Sequence, residues 1–427
     1  MTRTKNPYCN PHKIKQEIDA YVLGQEQGTK AIAMAISQHL LSTQYPDSQT
    51  DNVMLIGPSG CGKTETFRCL QQLEKKLRCP VLMVNVLDYA ATKSWQGDSI
   101  TEIFALIIDR AAAIYDDLHY HDECPEKQKA SITKIANRAI VLLDEFDKIS
   151  LGGEGKSRQF IKEYQSNLLK MIEGNTYNAG TITHKRKVTK YDEDGFPVDT
   201  FDCILLTDMT VDTTHMLFIV LGAFEGLENI TVSRLEQERF AKNHNQHAYH
   251  TGYQDTQLGF MASPHPVKKK PITYTYEQLL PSTEDLIKFG FMRELIGRIT
   301  IRTVYKPLNE DALIEIMLNA KNSAYKDFQR KFRRIHHDLR CSRSALREIA
   351  RIAIQRGTGA RGLRSVFSEL LSNTWYDLAD STRSKFRCLV RGKEVKEHMP
   401  PLLHVLDRTE RARRRKLVQI LKKPFSN

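Results

Sequence analysis

Several features that mark membrane, secreted and fibrous proteins are missing from this chain. Nowhere in its 427 residues do about eighteen apolar residues follow one another, so hydropathy indicates no spanning helix and no membrane partner. The start, Met1-Thr2-Arg3-Thr4-Lys5-Asn6-Pro7, has no apolar segment behind its charges that would serve as a secretory signal, and a cytoplasmic location is expected. The eight cysteines include no C-x-x-C pair, which argues against both a zinc site and a disulfide framework and for reduced thiols. Cys9 to His12 and His121 to Cys124 carry metal-capable groups, but neither has a second pair at ligand spacing. Internal repeats and low-complexity tracts are also lacking.

What is present is a globular composition, 41% hydrophobic, long enough for two or three domains. The formal charge of +12 is unevenly placed. From Lys326 onward there are 26 Lys and Arg against 10 Asp and Glu, whereas the preceding residues are slightly acidic. The densest part, Arg411 to Lys416 with Lys422 and Lys423, reads as a solvated basic tail. Phosphate contacts to nucleic acid are the less favoured use of it.

Short apolar runs alternate with helical patterns: Val53 to Ile56, Val81 to Val84, Ile140 to Leu143 and Met216 to Val220. Continuous apolar runs of this length are expected of parallel strands buried on both faces, hence an α/β domain with helices on both sides of the sheet. Two polar stretches, about 175–215 and 238–271, are expected as long surface excursions. After Val304 helices take over, with Leu346, Ile349, Ala350 and Ala353 on one face and Leu363, Val366, Phe367, Leu370, Leu371 and Leu378 on another. The expected organisation is a large domain over 1–303, a smaller, mainly helical α+β domain over 304–405, and a tail over 406–427.

Val53 to Ile56 lead into Gly57-Pro58-Ser59-Gly60-Cys61-Gly62-Lys63-Thr64, followed by the helical pattern Glu65 to Leu73. This is a phosphate-binding loop with both flanks in place. Its glycines let backbone N–H groups wrap phosphates at a helix N-terminus, Lys63 neutralises the β and γ phosphates, and the Thr64 hydroxyl ligates Mg²⁺. The strand Ile140 to Leu143 ends in Asp144 and Glu145, 81 residues after Lys63. Asp144 is expected to hold Mg²⁺ through its water shell and Glu145 to polarise an attacking water, giving an ATPase with ATP and Mg²⁺ as cofactors.

Beyond these motifs, YVLGQEQ (Tyr21 to Gln27), LLDEFDKIS (Leu142 to Ser150), LLKMIEG (Leu168 to Gly174), EDLIKFG (Glu284 to Gly290), ELIGR (Glu294 to Arg298) and GTGARGLRS (Gly357 to Ser365) follow in order. Over roughly residues 11 to 405 the chain resembles the ClpX family of AAA+ unfoldases. The resemblance implies a P-loop AAA+ fold and an ATP-dependent unfoldase that threads protein substrates through a homohexameric pore for a ClpP-like peptidase. It further implies that Val22 and Leu23 pack on the adenine ring and that Pro58 to Glu65 surround the phosphates. By the same resemblance Arg298 is an arginine finger reaching a neighbouring subunit's γ-phosphate, and Arg361 is a second sensor arginine on the small domain. Trp95, Gln96 and Gly97 fall where that family has its aromatic pore loop, and Leu258, Gly259 and Phe260 where it has the peptidase-docking tripeptide.

The departures fall on substrate-contacting surfaces. No four-cysteine set that would build the family's zinc-binding domain exists in the sequence. The 175–215 stretch is longer than its counterpart, although His184-Lys185-Arg186-Lys187 resembles the basic loop at the pore entrance. Two alternatives to peptidase delivery stand beside the leading one: a peptidase-independent remodeller of protein complexes and, less favoured, a nucleic-acid-associated motor.

Overall fold

The computed structural model describes residues 6–42, 50–87, 98–118, 124–150, 158–191, 197–248, 275, 278–379 and 385–406. Its first seven strands in chain order are β1 (Val53–Ile56), β2 (Val81–Asn85), β3 (Ile140–Asp144), β4 (Thr176–Tyr191), β5 (Pro197–Asp212), β6 (Leu217–Gly222) and β7 (Ile301–Val304). Five of them form one parallel sheet in the order β2-β3-β6-β1-β7. Strand side chains alternate between faces, and both faces here are covered. Val141 and Leu143 join a core with Phe104, Ile107, Tyr164 and Leu168, while Ile140 and Leu142 on the opposite side are 0% exposed. This is the α/β architecture expected from the apolar runs.

Two compact units divide the chain. One comprises Met1–Ile14, Lys30–Pro58 and Leu70–Tyr305; the other comprises Lys15–Thr29, Ser59–Cys69 and Lys306–Asn427. The second unit is mainly helical, with helices Glu310–Asn319, Ala324–Arg334, Arg343–Gln355 and Gly359–Ala379. Side chains of Asn309, Ser323 and Ser342 cap the first three by accepting from backbone N–H groups of the first turn. Its core joins Leu313, Phe332, Leu346, Ile349, Phe367 and Leu371 with Leu339 and Cys388 of a small sheet. That sheet contains β8 (Asp338–Cys341), β9 (Phe386–Val390) and β10 (Leu402–Val405) in the order β10-β9-β8.

The 175–215 stretch differs from the expectation of an irregular excursion: β4 and β5 pair antiparallel from Thr176↔Asp212 to Tyr191↔Pro197. Tyr177 stacks on Phe104 of the helix Asp98–Leu118 at 4.6 Å. His184 Nδ1 and Nε2 lie 2.7 and 3.0 Å from Asp109 and Asp116 carboxylate oxygens of that helix, and Arg186 Nε donates to Asp116 at 2.8 Å. The inward face also buries Ala179, Ile182, Leu206, Met209 and Val211 in the core of the sheet unit, but register shifts between Asn178 and Ile182 put these apolar positions out of step, so no regular period announces the hairpin. The second polar stretch starts as helix, since Leu227–Ala248 is continuous. Among the described residues no helix is long and apolar enough to cross a membrane.

Candidate nucleotide site

β1 delivers the chain to the phosphate loop, and the Gly57 N–H donates to the Gly222 carbonyl at 3.1 Å. Gly60 and Gly62 adopt φ of +77° and +112°, backbone conformations that L side chains rarely tolerate. Lys63 opens the helix Lys63–Leu77, whose first N–H groups have no intrahelical acceptors and make an anion site. Pro58 and Ser59 are exposed, and Lys63, Thr64 and Glu65 are half-buried. The Cys61 thiol is buried, and that burial pushes its pKa up, so it stays neutral beside Lys63.

Within the second unit the loop rests on two seats. Val22, 3% exposed, lies under Gly62, where an added Cβ would come within 3.1 Å of its Cγ1. Leu23 beside it is half-buried. The other seat is the turn at Thr358 and Gly359: the Ala360 N–H donates to the Gly60 carbonyl at 3.1 Å, and a Cβ on Gly60 would fall 2.3 Å from the Thr358 carbonyl oxygen. This contact starts the helix Gly359–Ala379 against the loop and brings Arg361 Nη2 to donate to Thr64 Oγ1 at 3.1 Å. Thr64 and Arg361, 297 residues apart, are thus neighbours.

In the sheet unit the acid pair stands at the C-terminal end of β3, on the edge where parallel α/β sheets bind ligands. Asp144 pairs in register with Asn85, the last residue of β2. Glu145 follows at φ +58°, a left-handed conformation unusual for glutamate, and its N–H donates to Asp144 Oδ1 at 2.9 Å. Such strain persists only where the surroundings impose it, typically at functional positions. Asn85 Nδ2 donates to Glu145 Oε2 at 3.2 Å while its Oδ1 accepts from the Leu87 N–H at 2.9 Å. Asn85 thereby holds the Glu145 carboxylate. Sequence reasoning missed it, although a polar residue ending an apolar strand beside the acid-bearing one is a usable signal.

Arg298 caps the short helix Arg293–Gly297, and its backbone carbonyl accepts from Asn52 Nδ2 at 2.9 Å. Its guanidinium is about half exposed and donates from Nε and Nη2 to Glu173 Oε1 at 3.0 and 2.7 Å. The segment before it is pinned by Gln165, fully buried, which donates to the Ile149 and Gly290 carbonyls and accepts from the Met292 N–H. Phe291 in that segment stacks on Phe146, next to Glu145, at 5.1 Å. A buried glutamine with three backbone partners is a tertiary device with no local sequence signature. Trp95, Gln96, Gly97, Leu258, Gly259 and Phe260 lie outside the described residues.

The donor set of the loop suits a polyphosphate: backbone amides freed by positive-φ glycines, an ammonium, and a hydroxyl at a helix N-terminus. Comparison with known proteins agrees. Residues 48–302 match the family model of the AAA domain (Cdc48 subfamily), more than half of the chain. The ATP-dependent Clp protease ATP-binding subunit ClpX of Treponema denticola is 29% identical over 408 residues, 93% of this chain and 84% of that protein. Its namesake from Borrelia duttonii is 26% identical over 403 residues, 92% of this chain and 80% of that protein. With the phosphate loop, the acid pair and this match together, the chain belongs to the AAA family and is a nucleotide-binding ATPase similar to ClpX.

Proposed function

We propose that this protein is an ATP-driven unfoldase and translocase that draws polypeptides through the pore of a homohexamer and passes them to a ClpP-type peptidase in the cytoplasm. The observation that carries this reading is the similarity to ClpX proteins along 93% and 92% of the chain, far beyond the ATPase motifs alone. Lys63 and the loop amides neutralise the phosphates, and Thr64 and, through water, Asp144 hold Mg²⁺, which supplies charge neutralisation when bound. Glu145, oriented by Asn85, takes the proton of the attacking water. Arg298 leaves Glu173 to reach the γ-phosphate of a neighbouring subunit, and Arg361 senses the nucleotide of its own. Val22 and Leu23 contact the base, Trp95 to Gly97 push on the polypeptide, and Leu258 to Phe260 dock the peptidase.

A Glu145→Gln variant tests this reading. It should bind ATP and lose turnover by about 10²–10⁴-fold, the usual worth of a general base. Stalled on its substrate, it should co-purify with polypeptides identifiable by mass spectrometry. Recovery of nucleic acid with no trapped polypeptide would replace the unfoldase reading with a nucleic-acid motor. Trapped complexes without any peptidase, together with wild-type remodelling in its absence, would favour a remodeller.

A further inference from the structure

Gln25 belongs to the segment Tyr21 to Gln27 but has no part in the chemistry described above. Its side chain is 3% exposed. Nε2 donates to the Cys61 carbonyl, inside the phosphate loop, at 3.2 Å, and to the Lys306 carbonyl at 2.8 Å. Oε1 accepts from the Lys306 N–H at 2.7 Å. One primary amide therefore satisfies both polar groups of a single residue's backbone, as a strand partner would, and still holds the loop.

The rest of the segment leaves Gln25 little freedom. Gly24 before it turns the chain at φ +77°, and the Gln25 carbonyl accepts from the Thr29 N–H at 2.9 Å as the helix Glu26–Ser42 begins. Three residues earlier, Val22 supports Gly62 of the same loop. On the other side, Lys306 is the first residue of the segment in which the chain, having left β7, enters the helical unit. A shift of the Cys61 carbonyl as the loop closes on phosphate thus has a direct hydrogen-bonded route to the Lys306 peptide. The bond to the Cys61 carbonyl is buried and the two to Lys306 are part-buried, so water replaces a lost bond less easily than at an open surface, and losing the amide removes three backbone contacts at once.

We propose that Gln25 is a positioning residue that couples occupancy of the phosphate loop to the peptide at Lys306, the crossover between the two units. The proposal rests on the reading that Gly57 to Thr64 bind nucleotide. No other amino acid offers two donors and an acceptor at this reach: glutamate keeps the acceptor for the Lys306 N–H but turns a carboxylate toward two carbonyls, and leucine removes all three bonds.

Hydrogen exchange of the full-length protein with and without ADP, resolved to peptides covering 57–66 and 303–309, tests the coupling. In the wild type ADP should slow exchange in both peptides. In Gln25→Glu, with melting used to check folding, ADP should still protect 57–66 but no longer 303–309. Affinity for a fluorescent ADP should hold within about threefold while kcat falls about five- to tenfold, the lower range of typical coupling between sites. A merely structural role would change affinity and kcat together or leave the ADP response at 303–309 intact. Protection at 303–309 that persists in Gln25→Glu overturns the proposal, as does its absence in the wild type, a result that needs no variant to fold. If ADP fails to protect 57–66 in the wild type, the nucleotide reading itself fails and takes the coupling with it.

Discussion

Between Gly57 and Gly62 the backbone shapes the site and Cβ atoms are kept out of its way; between Thr176 and Asp212 a hairpin is docked mainly through its side chains. In the loop, the decisive quantities are two positive φ angles and the 2.3 Å that a Cβ on Gly60 would leave to the Thr358 oxygen. In the hairpin, they are the burial of Ile182, Leu206, Met209 and Val211 in the core and the contacts of His184 and Arg186 with Asp109 and Asp116, residues 68 to 75 positions away. A backbone-made site must use glycine at fixed spacing, so it can be recognised locally. A side-chain-made docking depends on partners chosen elsewhere in the chain, and nothing near it in sequence reveals them.

The contrast breaks first at Gly60→Ala. The added methyl meets both the strained φ and the Thr358 carbonyl, so the Thr358–Gly359 turn must move off the loop. About 3 kcal/mol of strain and lost seating is expected, and steady-state ATPase should fall by about a hundredfold while the hairpin is untouched. Trypsin cleavage after Lys185, Arg186 and Lys187 should stay at the wild-type rate.

The reverse experiment is Asp116→Ala. It removes the shared acceptor of His184 and Arg186 and leaves two cations partly buried, at a local cost of about 2 kcal/mol once partial exposure is allowed for. Tryptic cleavage at Lys185 to Lys187 should accelerate several-fold, with ADP binding unchanged. Equal loss of ADP affinity would show that hairpin and loop are not independent.

pH acts on the same contacts more gently. Hydrogen bonds to Asp109 and then Asp116 hold the His184 pKa up at about 9, against 6.5 in an unfolded chain. Its contribution is therefore fully present below 6.5 and disappears as pH rises through about 9. For Asp116, burial raises the pKa, but bonds from His184 and Arg186 outweigh it and leave the group below 3.8; its contribution is present above that value and goes only in acid. Amide exchange over 181–187, corrected for intrinsic rate, should speed up between about pH 7 and about pH 10 in the wild type and change less in His184→Leu.

The smallest effect is expected on the hairpin's outward face. Phe201 and Leu205 are 65% and 63% exposed, so Phe201→Ser and Leu205→Ser should each change the melting free energy by less than about 0.5 kcal/mol. A larger loss would mean that this face is covered in the native assembly.

Much of the fold was legible. The runs at Val53, Val81, Ile140 and Leu217 are buried on both faces and had to be apolar throughout, and the stripe Leu346, Ile349, Ala350 and Ala353 is buried as its helical period indicates. The hairpin was not, because register shifts between Asn178 and Ile182 break the alternation of its inward Ala179, Ile182, Leu206, Met209 and Val211, and its inward His184 and Arg186 are as polar as its outward Thr183 and Lys185. Asn85, Gln165 and Gln25 escaped for a related reason: a buried amide declares itself only through the backbone groups it satisfies.

By itself, then, the order of residues determined the parallel sheet, the phosphate loop and the acid pair, since each needs only neighbours in sequence: apolar runs, glycines at set spacing, two acids at a strand end. Only the tertiary structure decided that Gly60 supports the turn at Gly359, that Arg361 meets Thr64, that Asn85 holds Glu145 and that Gln25 joins Cys61 to Lys306. Those are pairings of donors with acceptors tens to hundreds of residues away. Which acceptor a donor reaches is settled by the packing of the elements that carry them, a property of no short stretch of sequence.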